Sequence, residues 1–149
     1  MIFISVRFVD IKLMTLNINV KRGQVEKSSE LIGSMDSFVD LKLTSGGRTQ
    51  EARTKTVKSQ PKVDITWNES FQFRINPADL SNARLDLSIQ DEDMTTNDLN
   101  GAGCSNMQNC LMFQKGSHNY KMSLWDETKP KEGKEKLQAG VVYFTTSYN

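Results

Sequence analysis

Two groups of acidic residues stand at the ends of apolar, strand-like runs, where they could hold a metal ion. Glu30 and Asp36 lie in one connection, and Asp91, Asp93 and Asp98 lie where a later run opens into another. Calcium takes six to eight oxygen ligands in flexible geometry, so carboxylates on two adjacent loops can share one or two ions. This all-oxygen set, without His or Cys, suits calcium. Acidic residues in surface turns can also merely cap or solvate them, and spacing leaves both interpretations open.

Apolar residues accompany the acidic groups and could contact a membrane. Exposed apolar side chains beside a charge-neutralised site can enter the lipid interface, each contributing up to about 1.5–3 kcal/mol if fully buried. Folding back under the loop as a small satellite core is the equally supported alternative. The candidate apolar residues are Leu31, Ile32, Met35 and Met94.

A basic stretch supplies a second kind of membrane candidate. Alternation places Arg53 and Lys55 on one outward strand face, and Lys42 could join them from the neighbouring strand. Near an anionic leaflet, each basic residue contributes on the order of 1 kcal/mol. A solvated strand face explains the same pattern.

The elements that position these residues are predicted to be short antiparallel strands. Apolar residues recur at alternate positions, as in Val39, Leu41 and Leu43 or in Leu85, Leu87 and Ile89, and turn-rich stretches separate the runs. This pattern favours a β-sandwich or barrel over helices. A turn is expected at Ser45–Gly47, between two such runs.

Length and composition indicate one ordinary globular domain. The chain has 149 residues, 37% of them hydrophobic, and a net charge of only +1, which does not favour a nucleic-acid binder. The lone histidine, His118, has no recognisable nucleophile or acid partner, so no enzymatic activity is expected. Without a signal peptide pattern, Cys104 and Cys110 favour reduced thiols and a cytoplasmic location.

The domain is predicted to span residues 14–149, with residues 1–13 as an N-terminal extension. Residues 1–13 are apolar, but Arg7, Asp10 and Lys12 interrupt them too early for a membrane-spanning helix. Their Phe, Ile and Val content favours an extra strand or an arm that docks on a partner.

Several motifs in order along the chain resemble the C2 domain family. Glu30 to Val39 is similar to the family's first calcium loop, D-x-x-G-x-S-D-P-Y-V, although Glu30 and Ser37 depart from it. Trp67 to Phe73 resembles W-N-E-x-F-x-F. Leu87 to Asp93, followed by Asp98 to Gly101, resembles the third loop, V-x-D-x-D with D-x-I-G, and 140–146 matches the closing strand.

The resemblance implies an eight-stranded antiparallel Greek-key β-sandwich, an all-β fold, in a calcium-dependent module that binds anionic membrane phospholipids. It implies Ca²⁺ as the cofactor, the five carboxylates as its ligands and a peripheral membrane location in the cytoplasm. The alternative is a calcium-independent structural or protein-interaction C2 subunit of a larger assembly, toward which the N-terminal extension and the substituted first loop point.

Overall fold

The chain folds into antiparallel β-strands, which are seen in a computed structural model that describes residues 13–25, 34–61, 64–92, 97–106, 116–125 and 138–148. The strands are β1 (Met14–Val25), β2 (Ser34–Ser45), β3 (Arg48–Arg53), β4 (Val57–Pro61), β5 (Ile65–Ile75), β6 (Arg84–Glu92), β7 (Asn97–Asn106), β8 (Gly116–Trp125) and β9 (Gln138–Tyr148). A short 3₁₀ helix (Pro77–Asn82) precedes β6. Of the predicted N-terminal extension, residues 1–12 lie outside the described residues.

The strands form two layers. The first layer has the order β3-β2-β6-β7, and β4 also pairs with β2, so that β3 and β4 act as one interrupted strand. The second layer has the order β8-β9-β1-β5. The only link in the strand ladder between the layers, among the described residues, is the pair Ala102–Trp125. The predicted eight-stranded antiparallel sandwich is therefore confirmed.

The core lies between the layers and is built by the period-two alternation. Val39, Leu41 and Leu43 on β2 are at most 1% exposed and face Leu85, Leu87 and Ile89 of β6 in register. Leu16, Ile18 and Val20 supply the same stripe on β1 in the opposite layer. Because successive side chains of a strand point to opposite faces, this one pattern decides which face of each strand is buried.

The hairpin between β2 and β3 has the two-residue loop that the sequence predicts. Ser45 pairs with Arg48, and Gly46 and Gly47 between them have φ angles of 55° and 74°. Two consecutive residues with positive φ define the type I′ turn, whose twist matches that of the flanking strands. This turn sets the register of β3 on β2, and with it the position of Arg53.

Candidate functional site

Three of the five predicted carboxylate positions meet at one end of the first layer. Ser37 of β2 pairs with Asp91 of β6, and Asp91 pairs with Asp98 of β7. Asp36 directly precedes Ser37, so Asp36, Asp91 and Asp98 stand at the same level on three neighbouring strands, which are spaced about 4.8 Å apart. We call this end of the molecule the acidic end.

The pairing of Asp91 with Asp98 has an electrostatic consequence. Like charges directly opposite one another on neighbouring strands destabilise a sheet. A divalent cation held by both residues would turn this repulsion into attraction, and oxygen ligands of this kind are those that calcium prefers. The backbone placement and the donor chemistry therefore fit calcium.

Much of the predicted calcium site lies outside the described residues. Glu30, Leu31, Ile32, Asp93 and Met94 fall there entirely, and Met35, Asp91 and Asp98 are described in their backbone alone. Asp36 is the predicted ligand whose side chain is described, and it is half-buried. Within the described part of the chain, no three His, Cys, Asp or Glu side chains form a cluster able to hold a metal.

The buried tryptophan of β5 anchors the strand that carries Asp36. Trp67 is 8% exposed and its indole N–H donates to the Ser37 carbonyl at 3.1 Å, which ties the second layer to the start of β2. The ring fits against Gly23 of β1, where a Cβ atom would lie 2.9 Å from the indole and 2.8 Å from the Val141 carbonyl oxygen. Gly23 therefore makes room for the ring.

The two residues after Trp67 also have identifiable roles. Asn68 has a φ angle of 48°, a left-handed conformation that Asn adopts more readily than most residues. It lies where the β1–β5 register shifts. The Glu69 carboxylate accepts a hydrogen bond of 2.8 Å from the backbone N–H of Lys55. The Trp-Asn-Glu sequence thus joins the edges of the two layers near the acidic end.

Two further acidic residues at this end were not singled out from the sequence. Asp64 is exposed and directly precedes Ile65, which pairs with Gly23 close to the end of β1. Glu92 is exposed at the end of β6 and accepts a hydrogen bond from the Thr56 hydroxyl. Asp64 has no acidic neighbour in sequence, so only the strand end brings it here, whereas Glu92 lies between Asp91 and Asp93.

Arg53, one of the predicted basic candidates, is engaged with its neighbours. Its guanidinium bonds both oxygens of Asp40, at 2.6 and 3.0 Å, and lies 4.3 Å from the centroid of the Phe38 ring. The hydrogen bonds to Asp40 raise the pKa of Arg53 above its ordinary value, so that it stays protonated. The stacked guanidinium also explains why Phe38, on the outward face, is only 1% exposed.

Lys42 and Lys55 are both exposed, but they have different neighbours. Lys42 has Glu51 and Asp86 as its register partners on the two neighbouring strands. Lys55 lies in the break between β3 and β4, with buried Thr54 before it. Arg84 also forms an ion pair with Asp86, at 2.9 Å. Three described cations of this outer face, Lys42, Arg53 and Arg84, therefore stand beside carboxylates. This face is not a continuous basic patch.

Comparison with known proteins identifies the family. The family model described as C2 domain matches residues 14–124, most of the chain. The chain therefore belongs to the C2 domain family.

Solved structures with the same fold share little sequence with this chain. A C2 domain of plant extended synaptotagmin 1 is similar over 91% of this chain and 94% of its own, with a TM-score of 0.69 and 18% identity. Human GIVD cytosolic phospholipase A2 matches over 92% of this chain and 17% of its own, with a TM-score of 0.65 and 20% identity. CC2D1B matches over 93% of this chain and 56% of its own, with a TM-score of 0.71 and 15% identity.

The part of the chain that the structure describes contains no helix long and apolar enough to span a membrane.

Proposed function

We propose that this C2 domain is a binding module without catalytic activity that attaches to anionic phospholipid membranes when calcium occupies the acidic end. The observation that carries the proposal is the strand register. Asp91 pairs with Asp98 on one side and with Ser37, the residue after Asp36, on the other. The segment that contains Glu30 connects β1 to β2, and the segment that contains Asp93 connects β6 to β7, both at this end.

Calcium would be held by Glu30, Asp36, Asp91, Asp93 and Asp98. When bound, it would change the local potential from negative to positive and so attract anionic lipid headgroups. The chain's own contribution is to hold Asp36, Asp91 and Asp98 at one level on three neighbouring strands. Leu31, Ile32, Met35 and Met94, in or next to these connections, are the proposed apolar contacts with the lipid. Membrane attachment by this route is compatible with a cytoplasmic, peripheral location.

Co-sedimentation with vesicles of equal parts phosphatidylcholine and phosphatidylserine tests the proposal, in excess calcium and in excess chelator. Calcium should increase the pelleted fraction of the native chain. The double variant Asp91→Asn with Asp93→Asn should lose this increase, because it removes two proposed ligands while keeping side-chain size.

The matched control is Asp79→Asn with Asp86→Asn, which makes the same change of net charge away from the acidic end. Asp79 lies beside the β2–β3 hairpin, and Asp86 lies on the outer face of the first layer. The control should retain the response to calcium. Equal pelleting of the native chain with calcium and with chelator would contradict calcium dependence.

Negligible pelleting in both conditions would favour the second candidate, a calcium-independent C2 subunit that docks on protein. One observation supports this candidate: the charges on the outer face of the first layer stand in opposite-sign neighbours such as Asp40 with Arg53, a pattern that gives lipid headgroups little net attraction. The structure of CC2D1B, described as coordinating ESRCT-III activity during mitotic reformation of the nuclear envelope, belongs to a protein of similar fold.

A further inference from the structure

The outer face of the second layer is basic, whereas the outer face of the first layer has mixed charge. The described strands β8, β9, β1 and β5 contain one carboxylate, that of Glu69, which reaches across to the backbone of Lys55. The same strands contain four exposed cations, at Lys21, Arg22, Arg74 and Lys121. Four cations against one carboxylate give these strands a net charge of +3, compared with +1 for the whole chain.

A bulge in β1 makes two consecutive basic residues face outward. The register of β1 with both neighbours shifts between Val20 and Arg22. Val20 and Gly23 are buried, whereas Lys21 and Arg22 between them are exposed. In a regular strand one of two successive residues would face the core, and a bulge removes that restriction.

Three residues form a row across the middle strands of this face. Arg22 of β1, Tyr143 of β9 and Lys121 of β8 are partners in register. The Arg22 guanidinium lies 4.2 Å from the centroid of the Tyr143 ring, and the Lys121 ammonium lies 5.9 Å from it. We call these three residues the Tyr143 row.

The Tyr143 row brings like charges together, and no carboxylate of the described strands of this layer is paired with them in register. The two distances to one ring centroid place the cations at most about 10 Å apart. Salt screens most of the repulsion between exposed charges at that separation, because the screening length is about 8 Å at physiological ionic strength. An anionic surface at the row would be attracted by both cations. The adjacent row adds neutral hydrogen-bonding groups, including Thr145, whose hydroxyl donates to the exposed Asn119 at 2.9 Å.

We propose that the Tyr143 row and Lys21 bind the phosphate headgroups of an anionic membrane without calcium. A flat membrane is the partner that fits, because the row lies on a sheet face. Arg22 is three residues before Val25, where β1 ends next to the acidic end. Nucleic acid fits less well, because single strands bind by stacking bases on free aromatic rings. The ring of Tyr143 is already covered by Arg22.

The test uses the full chain in excess chelator, so that the calcium site plays no part. Vesicles of equal parts phosphatidylcholine and phosphatidylserine are compared with vesicles of phosphatidylcholine alone. The native chain should bind the anionic vesicles, and high salt should release it because screening weakens exposed charges. Arg22→Gln with Lys121→Gln should lower the vesicle partition coefficient by roughly twenty- to thirty-fold, since each basic residue near an anionic leaflet is worth about a factor of five.

The control Arg48→Gln with Arg84→Gln removes two charges from exposed positions of the first layer and should lower the partition coefficient far less. Circular dichroism melting of both variants should match the native chain, because all four side chains are exposed. Inorganic phosphate at physiological salt should compete only weakly, which separates a membrane surface from a free-phosphate site.

Three results would overturn the inference. They are an absence of chelator-resistant binding to the anionic vesicles, an equal loss in the two double variants, and binding of a single-stranded RNA in place of vesicles. None of them bears on calcium dependence, which is measured as the difference between the calcium and chelator conditions. The inference and the proposed function can therefore fail separately.

Discussion

Trp67 shows how one residue positions a site from a distance. Its N–H bonds the carbonyl of Ser37, the residue between Asp36 and the buried part of β2, and its ring fills the space above Gly23. The sequence predicts that Trp67 faces the core. The hydrogen bond to Ser37 joins residues 30 positions apart and depends on how the two layers pack.

Replacing Trp67 with Phe should lower the free energy of unfolding by about 1–3 kcal/mol. The Ser37 carbonyl would lose a buried hydrogen-bond donor, and the smaller ring would leave a space beside Gly23. Urea unfolding monitored by circular dichroism measures the change. The chain's second tryptophan provides the control: Trp125 is 42% exposed, so Trp125→Phe should change stability by less than about 0.5 kcal/mol. Equal effects of the two substitutions would contradict this role for Trp67.

At the scale of elements, side chains from one layer close the exposed edge of the other. Gln50 of β3 donates to the Arg74 carbonyl at 2.7 Å and accepts from the Arg74 N–H at 3.1 Å, so that its amide acts as a short strand partner for β5. Glu69 makes the reverse connection, from β5 to the break between β3 and β4. Unpaired edges favour association with other strands, and these contacts cover part of one.

The β2–β3 hairpin supports a prediction at the same scale. Gly46→Ala should destabilise the domain by about 1–2 kcal/mol or more, because a left-handed conformation costs that much for a residue with a Cβ atom. The added Cβ would also overlap the carboxylate of Asp79.

Gly47→Asn is the matched control in this hairpin. Gly47 also has a positive φ angle, but no atom of the described residues beyond its two chain neighbours lies within 4 Å of a Cβ placed there. Asn also tolerates the left-handed region. Thermal melting should show a clearly lower midpoint for Gly46→Ala and a small change for Gly47→Asn. A larger loss for Gly47→Asn would mean that the turn is not of type I′.

At the scale of the whole molecule, charge is separated between the faces and the ends. The acidic end carries Asp36, Asp91 and Asp98, the outer face of the first layer is mixed, and the outer face of the second layer is basic. Such a distribution orients a protein as it approaches a charged surface. Calcium at the acidic end would bring this end and the nearby Tyr143 row to the same sign.

Calcium should therefore stabilise the folded domain as a whole. An ion that binds only the folded state adds about 2.7 kcal/mol when its concentration is a hundred times its dissociation constant. For a domain of this size each kcal/mol raises the melting midpoint by about 2–4 °C. Differential scanning fluorimetry with calcium and with chelator measures the shift, and magnesium serves as the ionic control.

The shift should disappear in Asp91→Asn with Asp93→Asn. In chelator, the same variant should melt no lower than the native chain, because removing one member of the Asp91–Asp98 pair relieves repulsion between like charges. An unchanged calcium shift in this variant would remove both residues from the proposed site.

The sequence by itself determined the fold class and the buried face of strands with clear alternation, such as β2 and β6. Alternation in 39–43 and 85–89 and the Gly46–Gly47 turn depend on neighbours along the chain, and local sterics and hydrophobicity decide them. The order of motifs indicated the C2 family, which the match over residues 14–124 confirms. The placement of Asp91 where a strand opens into a connection also followed from the sequence.

Only the tertiary structure decided which charges meet. The sequence offered Arg53 either as a lipid contact or as part of a solvated strand face, and the register places it against Asp40 and Phe38. The Tyr143 row joins residues 22, 121 and 143, which no window of sequence contains together. Charge pairing depends on strand register and on the bulge in β1, because both shift side chains relative to the next strand. Register and bulge are in turn determined by the packing of the whole sandwich.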